Sequence, residues 1–389
     1  MLIECGAILV TVSLIFYSRP LLPLIPRVLK FALLRLKFRK RRVKRHGKKD
    51  AVLPEEWEWD DDSPAVRGTK AKTCNLEIFA TTSGQNGNYA LNLQINGPKA
   101  VQLMLQDQNG STYILPSEAG EKLNLSYFPE QRSIRGSGFL FQVIEPFRRC
   151  RLKFTGYLRK LDSDEATSDW VFVNLTLRWA TSSDRFDFAT DTDFTHLCWL
   201  ASNLPEPERL VIEWLERKQL SQWGQWVGTL SMAQNEPVEL VMHGCRQWRQ
   251  ESEDWQFSQL FCYQECGGFL HMVQIATGKL QHEPVSLGYY FRPCGILEPI
   301  TSSYRFPTDI EKEQKPAYIW FKTGSFAQSL KLSNQRTVTL DNTKVAFCKA
   351  NLTGEPGTAL LKINDMRLKY KASDHDLPIV RNVIETADA

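Results

Sequence analysis

The sequence lacks the short motifs that mark the common catalytic sites. Its 389 residues contain no Gly-x-Ser-x-Gly, no P-loop and no His-Glu-x-x-His, and no Gly-x-Gly-x-x-Gly follows a predicted strand. The six histidines are scattered, and no two stand at the spacing of metal ligands. The sequence therefore assigns no catalytic residue, no metal ligand and no cofactor.

Paired cysteines are missing as well. None of the nine cysteines forms a Cys-x-x-Cys motif, and the spacing of Cys262 and Cys266 suits a strand face or a turn better than a zinc site. We expect all nine to be reduced thiols, as in a cytosolic protein.

Acidic residues are nearly absent from the start of the chain. Residues 1–49 hold 13 of the 48 Lys and Arg residues but only one of the 44 Asp and Glu residues, Glu4, which leaves residues 50–389 with a net charge of −8. An acidic globular part argues against nucleic acid as its partner.

The N-terminus instead carries long apolar stretches. Cys5–Tyr17 is apolar apart from small polar side chains, and Val28–Leu36 continues the pattern. Pro20, Pro23 and Pro26 between them cannot continue a regular helix cleanly. We predict a membrane helix in residues 1–34, either a single span kinked at the prolines or a hairpin that leaves by the same face. A cleaved signal peptide is a third alternative, although neither a basic start nor a clear cleavage site supports it.

Residues 35–49 follow with ten Lys and Arg residues and no acid. Because basic flanks stay on the cytoplasmic side, we expect the rest of the chain to face the cytosol from the endoplasmic reticulum or another endomembrane. A nuclear localisation signal or a nucleic-acid patch is the alternative. The side chains predicted to contact lipid headgroups are Arg39, Lys40, Arg41, Arg42, Lys44 and Arg45.

From residue 73 onward, short alternating segments separated by polar, Gly-containing turns predict β-strands. Such strands at a spacing of about 10–15 residues, with few helices, indicate a sandwich or barrel. The predicted fold is all-β, with two barrel-like domains joined by a short helical segment. We place the domains at 1–34 (membrane anchor), 35–72 (basic, then acidic linker), 73–190 (first barrel), 191–222 (helical connection), 223–371 (second barrel) and 372–389 (flexible tail).

A corner between two strands carries the first candidate site. Pro146 cannot donate to a sheet ladder, so the strand before it is predicted to stop or bend there. Arg148 and Arg149 follow, and because neighbouring strand residues point to opposite faces, one of them is expected to point into the barrel and pair with Glu145 or Asp187. Such a pair either lines a ligand cavity or fixes the corner as a structural ion pair.

Two further segments carry candidate ligand-binding residues. Asp187 and Asp191 lie in an acidic segment that lacks the Gly and distal Glu of a calcium loop, and we interpret them mainly as strand and capping residues. Residues 243–255 are predicted to be a charged loop containing Arg246, Trp248 and Trp255, which either bind a ligand or cover a barrel end.

These segments resemble the non-catalytic N-terminal part of the phosphoenolpyruvate-synthase-like proteins of insects and other animals, over roughly residues 75–370. The matching motifs are 145–149 (EPFRR), Phe154 with 156–159 (GYLR), 186–188 (FDF) with Thr190 and Asp191, and 222–224 (QWG) with 228–230 (GTL). The resemblance implies an AttH-like fold of two tandem lipocalin-like β-barrels. More remote members of that group include carotenoid hydratases and tocopherol-cyclase-like enzymes, which act on hydrophobic substrates.

The sequence departs from this family at two places. The ATP-grasp and phosphohistidine regions, which would carry phosphotransfer, have no counterpart. In the second-barrel motif Arg246, Asp254 and Trp255 match, but Gln247 and Trp248 replace an Asp and a His. An amide cannot act as a general base and an indole cannot shuttle a proton, so any catalysis by that pair is lost here.

The sequence thus predicts a membrane-anchored, cytosol-facing protein that binds a hydrophobic small molecule, such as a lipid or an isoprenoid-like compound, without catalysis. The partners implied are membrane lipids and this small molecule. The alternatives are an isomerase, hydratase or cyclase acting on such a molecule, or a purely structural membrane-attached adaptor.

Overall fold

The computed structural model describes residues 74–82, 89–96, 100–115, 123–128, 130–161, 170–193, 195, 219–233, 235–250, 255–277, 285–304, 316–324, 326–340 and 343–364, with short helical pieces at 32–33, 35–36 and 39–40. This part of the chain is almost entirely β-structure, arranged in two closed eight-stranded barrels. The predicted all-β fold with two barrels is confirmed.

The first barrel uses eight of the twelve strands that precede residue 251. Its ring runs β1-β2-β3-β4-β8-β9-β11-β12, and it closes because β12 pairs with β1 while β9 pairs with both β8 and β11. Strands β5–β7 extend the sheet beside β8, and β10 pairs with β11. The bounds are β1 (Cys74–Thr82), β2 (Ala90–Asn96), β3 (Ala100–Gln106), β4 (Thr112–Ile114), β5 (Ser126–Phe128), β6 (Ser133–Gly136), β7 (Phe139–Glu145), β8 (Arg149–Lys160), β9 (Trp170–Thr181), β10 (Phe186–Asp187), β11 (Gln219–Met232) and β12 (Val238–Gln250).

The second barrel is a simple meander in which each strand pairs with the next and the last returns to the first. Pairing of β20 with β13 closes the ring. Its strands are β13 (Trp255–Gln264), β14 (Phe269–Thr277), β15 (Val285–Phe291), β16 (Leu297–Tyr304), β17 (Ala317–Thr323), β18 (Phe326–Leu340), β19 (Thr343–Leu352) and β20 (Glu355–Asn364).

The strand pairing corrects the predicted domain boundary. The first barrel does not end at residue 190, because β11 and β12 are needed to close it and β12 reaches Gln250. The segment predicted as a helical connection between barrels therefore lies within the first barrel, between β10 and β11, and 219–222 are strand. Residues 196–218, and the predicted last strand and tail after residue 364, lie outside the described residues.

The predicted membrane segment also lies almost entirely outside the described part. Within that part, no helix is both long enough and apolar enough to cross a membrane. Of the predicted headgroup contacts, Arg39 and Lys40 are helical and exposed, whereas Arg41, Arg42, Lys44 and Arg45 are not described.

Side-chain alternation sorts the apolar residues into three clusters. Inward residues of each ring line its own barrel, for example Leu76 and Ile78 in the first and Leu260 and Cys262 in the second. Outward residues of the first barrel, such as Phe79, pack against side chains of the second in a cluster of their own. The two barrels therefore share a buried, largely apolar interface.

A buried ion pair crosses this interface beside the apolar cluster. Lys362 Nζ of β20 lies 2.9 Å from Glu77 Oε1 of β1 and donates to Gln94 Oε1 at 2.7 Å. Burial alone would raise the pKa of Glu77, but the attraction of Lys362 and Arg249 outweighs it and holds that pKa below its ordinary value. The carboxylate is thus charged at neutral pH and depends on these cations.

The corner after β7 differs from the prediction. Both arginines stay outside, with the side chains of Arg148 and Arg149 71% and 68% exposed, and both pair with Glu145 at 3.0 and 3.2 Å. The expectation of an inward arginine was therefore wrong, although the pairing with Glu145 is present. Phe147, held at φ +53°, is the residue that the corner buries, and its ring lies 5.5 Å from that of Trp248. Pro146 before a residue of positive φ has the signature of a type II turn, which turns Phe147 rather than an arginine inward.

We expect alanine at Arg148 and at Arg149 to lower the free energy of unfolding by less than about 1 kcal/mol each, because exposed ion pairs contribute little. Alanine at Phe147 is expected to cost about 3–5 kcal/mol, since it removes a buried ring. Urea titrations of the three variants measure the difference. A cost above that of Phe147→Ala for either arginine would contradict this geometry.

Removing Lys362 tests the interface ion pair. Lys362→Met leaves the Glu77 carboxylate buried with weaker compensation, and we expect a loss of about 3–5 kcal/mol. The double variant Glu77→Leu with Lys362→Met removes both charges and should recover most of this loss, as measured by thermal and urea unfolding. A double variant less stable than the single one would show that the pair itself stabilises the interface.

Candidate functional site

The interior of the first barrel contains a polar group at its apolar centre. Arg246 of β12 faces inward because it stands opposite the inward residues Ile78 of β1 and Gln222 of β11 in the strand registers. Its exposed fraction is 0%, and Trp248, two residues on, is buried on the same face. The structure thus places two of the predicted site residues, Arg246 and Trp248, side by side in a barrel wall rather than in a loop.

Aromatic rings surround the Arg246 guanidinium. Its carbon lies 3.7 Å from the ring centroid of Trp179 and 4.5 Å from that of Trp248. Trp226 lies 6.3 Å from Trp179, centroid to centroid. Cation–π contacts of this kind are worth about 2 kcal/mol or more when the cation is desolvated. These contacts involve the faces of the planar guanidinium, whereas its N–H groups lie in the guanidinium plane.

The same interior holds hydrogen-bonding groups that the protein does not satisfy. Within the described residues, the indole N–H groups of Trp179, Trp226 and Trp248 have no acceptor, and Gln222 Oε1 has no donor although Gln222 Nε2 donates to the Ser183 carbonyl at 3.0 Å. A buried donor without an acceptor costs about 1–3 kcal/mol. Such a group at the centre of a barrel is suited to bind an oxygen of a ligand.

Gly224 makes room for this arrangement. A Cβ at position 224 would stand 2.3 Å from Trp179 Nε1 and 2.5 Å from the carbonyl oxygen of Ala180. Any larger residue would displace the indole on which Arg246 rests, so the close approach of β11 and β9 requires glycine here.

The acidic segment is structural, in line with our main interpretation of it. The backbone N–H of Asp187 donates to Asp191 Oδ2 at 2.8 Å, and Asp187 Oδ1 accepts from the N–H of Ala189 at 2.9 Å. This turn presents Phe186 and Phe188 to the barrel interface, where Phe186 stacks on Tyr289 with centroids 4.5 Å apart. The two aspartates therefore stabilise this turn and lie apart from the aromatic cluster around Arg246.

A second polar cluster lies between the barrels. Ser221 Oγ of β11 is 2.7 Å from Tyr289 Oη, 2.9 Å from His271 Nδ1 and 3.0 Å from Cys245 Sγ. His271 also stacks on Phe261, with ring centroids 4.4 Å apart. His271 Nε2 has no hydrogen-bond partner within the described residues. One hydroxyl of the first barrel thus connects three groups, two of which belong to the second.

Burial keeps every member of this cluster neutral. It lowers the pKa of His271 to about 3, helped by the nearby charge of Arg249, and raises the pKa of Cys245 to about 12. Burial also raises the pKa of Tyr289 well above its ordinary value. At neutral pH the cluster therefore holds an uncharged imidazole, phenol and thiol.

The remaining predicted residues lie elsewhere. Glu145 forms surface ion pairs with both Arg148 and Arg149. The side chain of Trp255 in β13 is not described. Within the described residues, no group of three or more His, Cys, Asp or Glu side chains could hold a metal ion. The sequence prediction missed the residues that complete the two clusters: Trp179, Gln222, Trp226, Ser221, His271 and Tyr289. The 222–224 motif was the only signal near them.

No known family profile matches the sequence, and no curated protein matches it. Among solved structures, it is similar to a Nitrosomonas europaea protein provisionally designated AttH (11% identity, TM-score 0.46, covering 75% of this chain and 90% of that one). It is also similar to kievitone hydratase from Nectria haematococca (8% identity, TM-score 0.44, covering 75% and 89%). Nothing in these comparisons supports the predicted relation to phosphoenolpyruvate-synthase-like proteins. Likeness at this level carries no argument about activity, and the fold rests on the strand pairing.

The neutral state of His271 predicts a stability that depends on pH. The unfolded imidazole titrates near pH 6.5 and the folded one near pH 3, so between these values the unfolded state binds one more proton. The free energy of unfolding should fall by up to about 1.4 kcal/mol per pH unit as the pH drops through this window.

Urea titrations at several pH values between about 5 and 6.5, above the range in which Glu77 titrates, should show this slope in the wild type and the loss of most of it in His271→Gln. His243, which is half-buried and stacks on Tyr263, provides the matched control, because His243→Gln should retain most of the slope. An unchanged slope in His271→Gln would mean that its imidazole is accessible to protons in the folded state.

Proposed function

We propose that the first barrel binds one hydrophobic small molecule whose polar end carries an acceptor oxygen. The observation that carries this proposal is the set of buried indole N–H groups without acceptors around Arg246. Closed eight-stranded barrels are wide enough either to be filled by side chains or to hold one small ligand. A carboxylate, hydroxyl or carbonyl oxygen in this interior would accept from the indole N–H groups, next to the positive charge of Arg246.

The rest of the barrel interior suits the apolar part of such a molecule. Most other buried residues on the inward faces of β11 and β12 are aliphatic or aromatic, among them Leu220, Leu240 and Met242. Pockets of small-molecule binders combine such an apolar lining with a few convergent polar groups. A lipid or an isoprenoid-like compound with one oxygenated end has this chemistry.

The proposal keeps the cellular setting that the sequence predicts. The chain would be attached to the endoplasmic reticulum or another endomembrane through residues 1–34, with the barrels in the cytosol. The basic residues 35–49 support contact with anionic lipids, and the charge of −8 on residues 50–389 supports a role without nucleic acid. The finer relation to phosphoenolpyruvate-synthase-like proteins remains a prediction from the sequence motifs.

A second candidate function is an isomerase, hydratase or cyclase acting on a similar molecule. The observation in its favour is the Ser221, His271 and Tyr289 cluster, because a neutral imidazole next to a hydroxyl and a phenol can move protons. Its burial between the barrels favours the simpler role of a structural connection. Under the binding proposal, the small molecule is released with the same mass and chemical structure that it had before it bound.

Native mass spectrometry of the purified full chain tests the binding proposal. We expect an adduct of small-molecule mass that Arg246→Met abolishes, and Trp248→Phe should lower affinity about tenfold, because one hydrogen bond is worth about 1 kcal/mol or slightly more. The phenyl ring keeps an aromatic face for the guanidinium, so this variant isolates the N–H group.

Lys331→Met provides the control, since it removes a cation from an exposed position of the second barrel and should leave the adduct intact. Thermal melts establish that each variant is folded. An adduct of equal occupancy in folded Arg246→Met, or no adduct in the wild type after addition of fatty acids and isoprenoid alcohols, would contradict binding at this site. Conversion of the released molecule during incubation would instead identify an enzyme.

A further inference from the structure

We propose that the outer face of β8 and β9 lies against an anionic phospholipid surface. The proposal rests on the membrane attachment proposed above and assigns the surface of the first barrel that contacts lipid. It is independent of the ligand inside the barrel, because the residues involved point away from that interior.

Alternation gives these two strands opposite characters on their two faces. Cys150, Leu152, Phe154 and Leu158 of β8 are buried in the barrel core. The residues of β8 that alternate with these four point outward. Every second residue of β9 from Trp170 to Arg178 also points outward.

Three aromatic side chains lie together at one end of the outer face. Tyr157 stands directly opposite Phe172, with the rings edge to face and 5.3 Å apart, and Trp170 stands opposite Arg159. Tyr157 is 59% exposed, Trp170 48% and Phe172 40%. Neighbouring exposed aromatic rings on a sheet face are unusual on a surface that meets only water, and they mark interaction sites.

The charges on the same face are all positive. The outward cations are Arg149, Arg151, Lys153 and Arg159 of β8 and Arg178 of β9, and neither strand contains Asp or Glu. Arg149 pairs with Glu145 of the neighbouring β7. Arg151 stands directly opposite Arg178, an arrangement that destabilises a sheet unless an anion lies between the two side chains. Within the described residues, Arg151, Arg178, Lys153 and Arg159 form no ion pair. The face therefore calls for a partner that supplies negative charge.

The combination of residues favours a lipid surface over other anions. Tyr and Trp with flanking Arg and Lys is the composition found at the headgroup level of membranes, where rings enter the apolar boundary and cations meet phosphate. Residues 35–49 add ten cations of the same sign to the chain at the predicted membrane anchor. A nucleic acid fits less well, because the net charge of residues 50–389 is −8.

Cross-linking from lipid to protein tests this surface in the full chain. The protein is reconstituted with phosphatidylcholine vesicles, with and without phosphatidylserine, that contain a headgroup-diazirine lipid, and cross-linked peptides are mapped by mass spectrometry. We expect cross-links on Tyr157, Trp170 and Phe172 that increase with phosphatidylserine. Tyr318 and Trp320 of β17 in the second barrel are similarly exposed, but the strand pairing places no two arginines opposite each other beside them. They provide the internal control and should gain no cross-links when phosphatidylserine is present.

The double variant Arg151→Gln with Arg178→Gln should lower cross-linking at this face about thirtyfold, because two basic residues near an anionic surface together contribute about 2 kcal/mol. Cross-links confined to residues 1–49 would overturn this surface and leave membrane attachment standing, whereas no cross-link anywhere would remove both. Equal cross-linking with and without phosphatidylserine, or suppression by polyglutamate or duplex DNA alone, would also overturn the proposal. Ligand binding inside the barrel is read separately by native mass spectrometry.

Discussion

The second half of strand β12 is buried on both faces, and most of the structure depends on this. Its inward residues, Arg246 and Trp248, belong to the core of the first barrel. The residues that alternate with them, Cys245, Gln247 and Arg249, point to the second barrel. Because strand residues alternate strictly between faces, a shift of one residue in register would exchange the two sets. The packing of the barrels against each other therefore fixes the position of the guanidinium inside the first.

This double role also explains which strands the sequence predicts well. Strands with one solvent-exposed face, such as β17 (Ala317–Thr323), alternate clearly, and this alternation predicts a strand. The first half of β11 and the second half of β12 are buried on both faces, and one of these faces is polar. Their sequences, QLSQWGQ and HGCRQWRQ, show no period of two. Residues 219–222 were therefore predicted as the end of a helical connection, and residues 243–250 as part of a loop.

The candidate sites were predictable only in part. Arg246 and Trp248 could be singled out because a charge and an indole adjoin in one segment, but their aromatic partner Trp179 comes from β9 and meets them only when the barrel closes. Ser221 and His271 are 50 residues apart, and their hydrogen bond exists only because two barrels pack together. The inward arginine at the corner was wrongly predicted because a turn with positive φ, rather than strand alternation, decides the direction of Phe147.

Nuclear magnetic resonance of the indole protons tests most directly whether the buried indole N–H groups bind the oxygen of a ligand. The indole signals of Trp226 and Trp248 are assigned with Trp226→Phe and Trp248→Phe variants and recorded before and after solvent extraction of the protein. We predict that both signals shift upfield on extraction as their hydrogen bonds are lost, while that of exposed Trp320 stays in place. Unchanged signals from Trp226 and Trp248 in a protein that has released its ligand would contradict binding at this site.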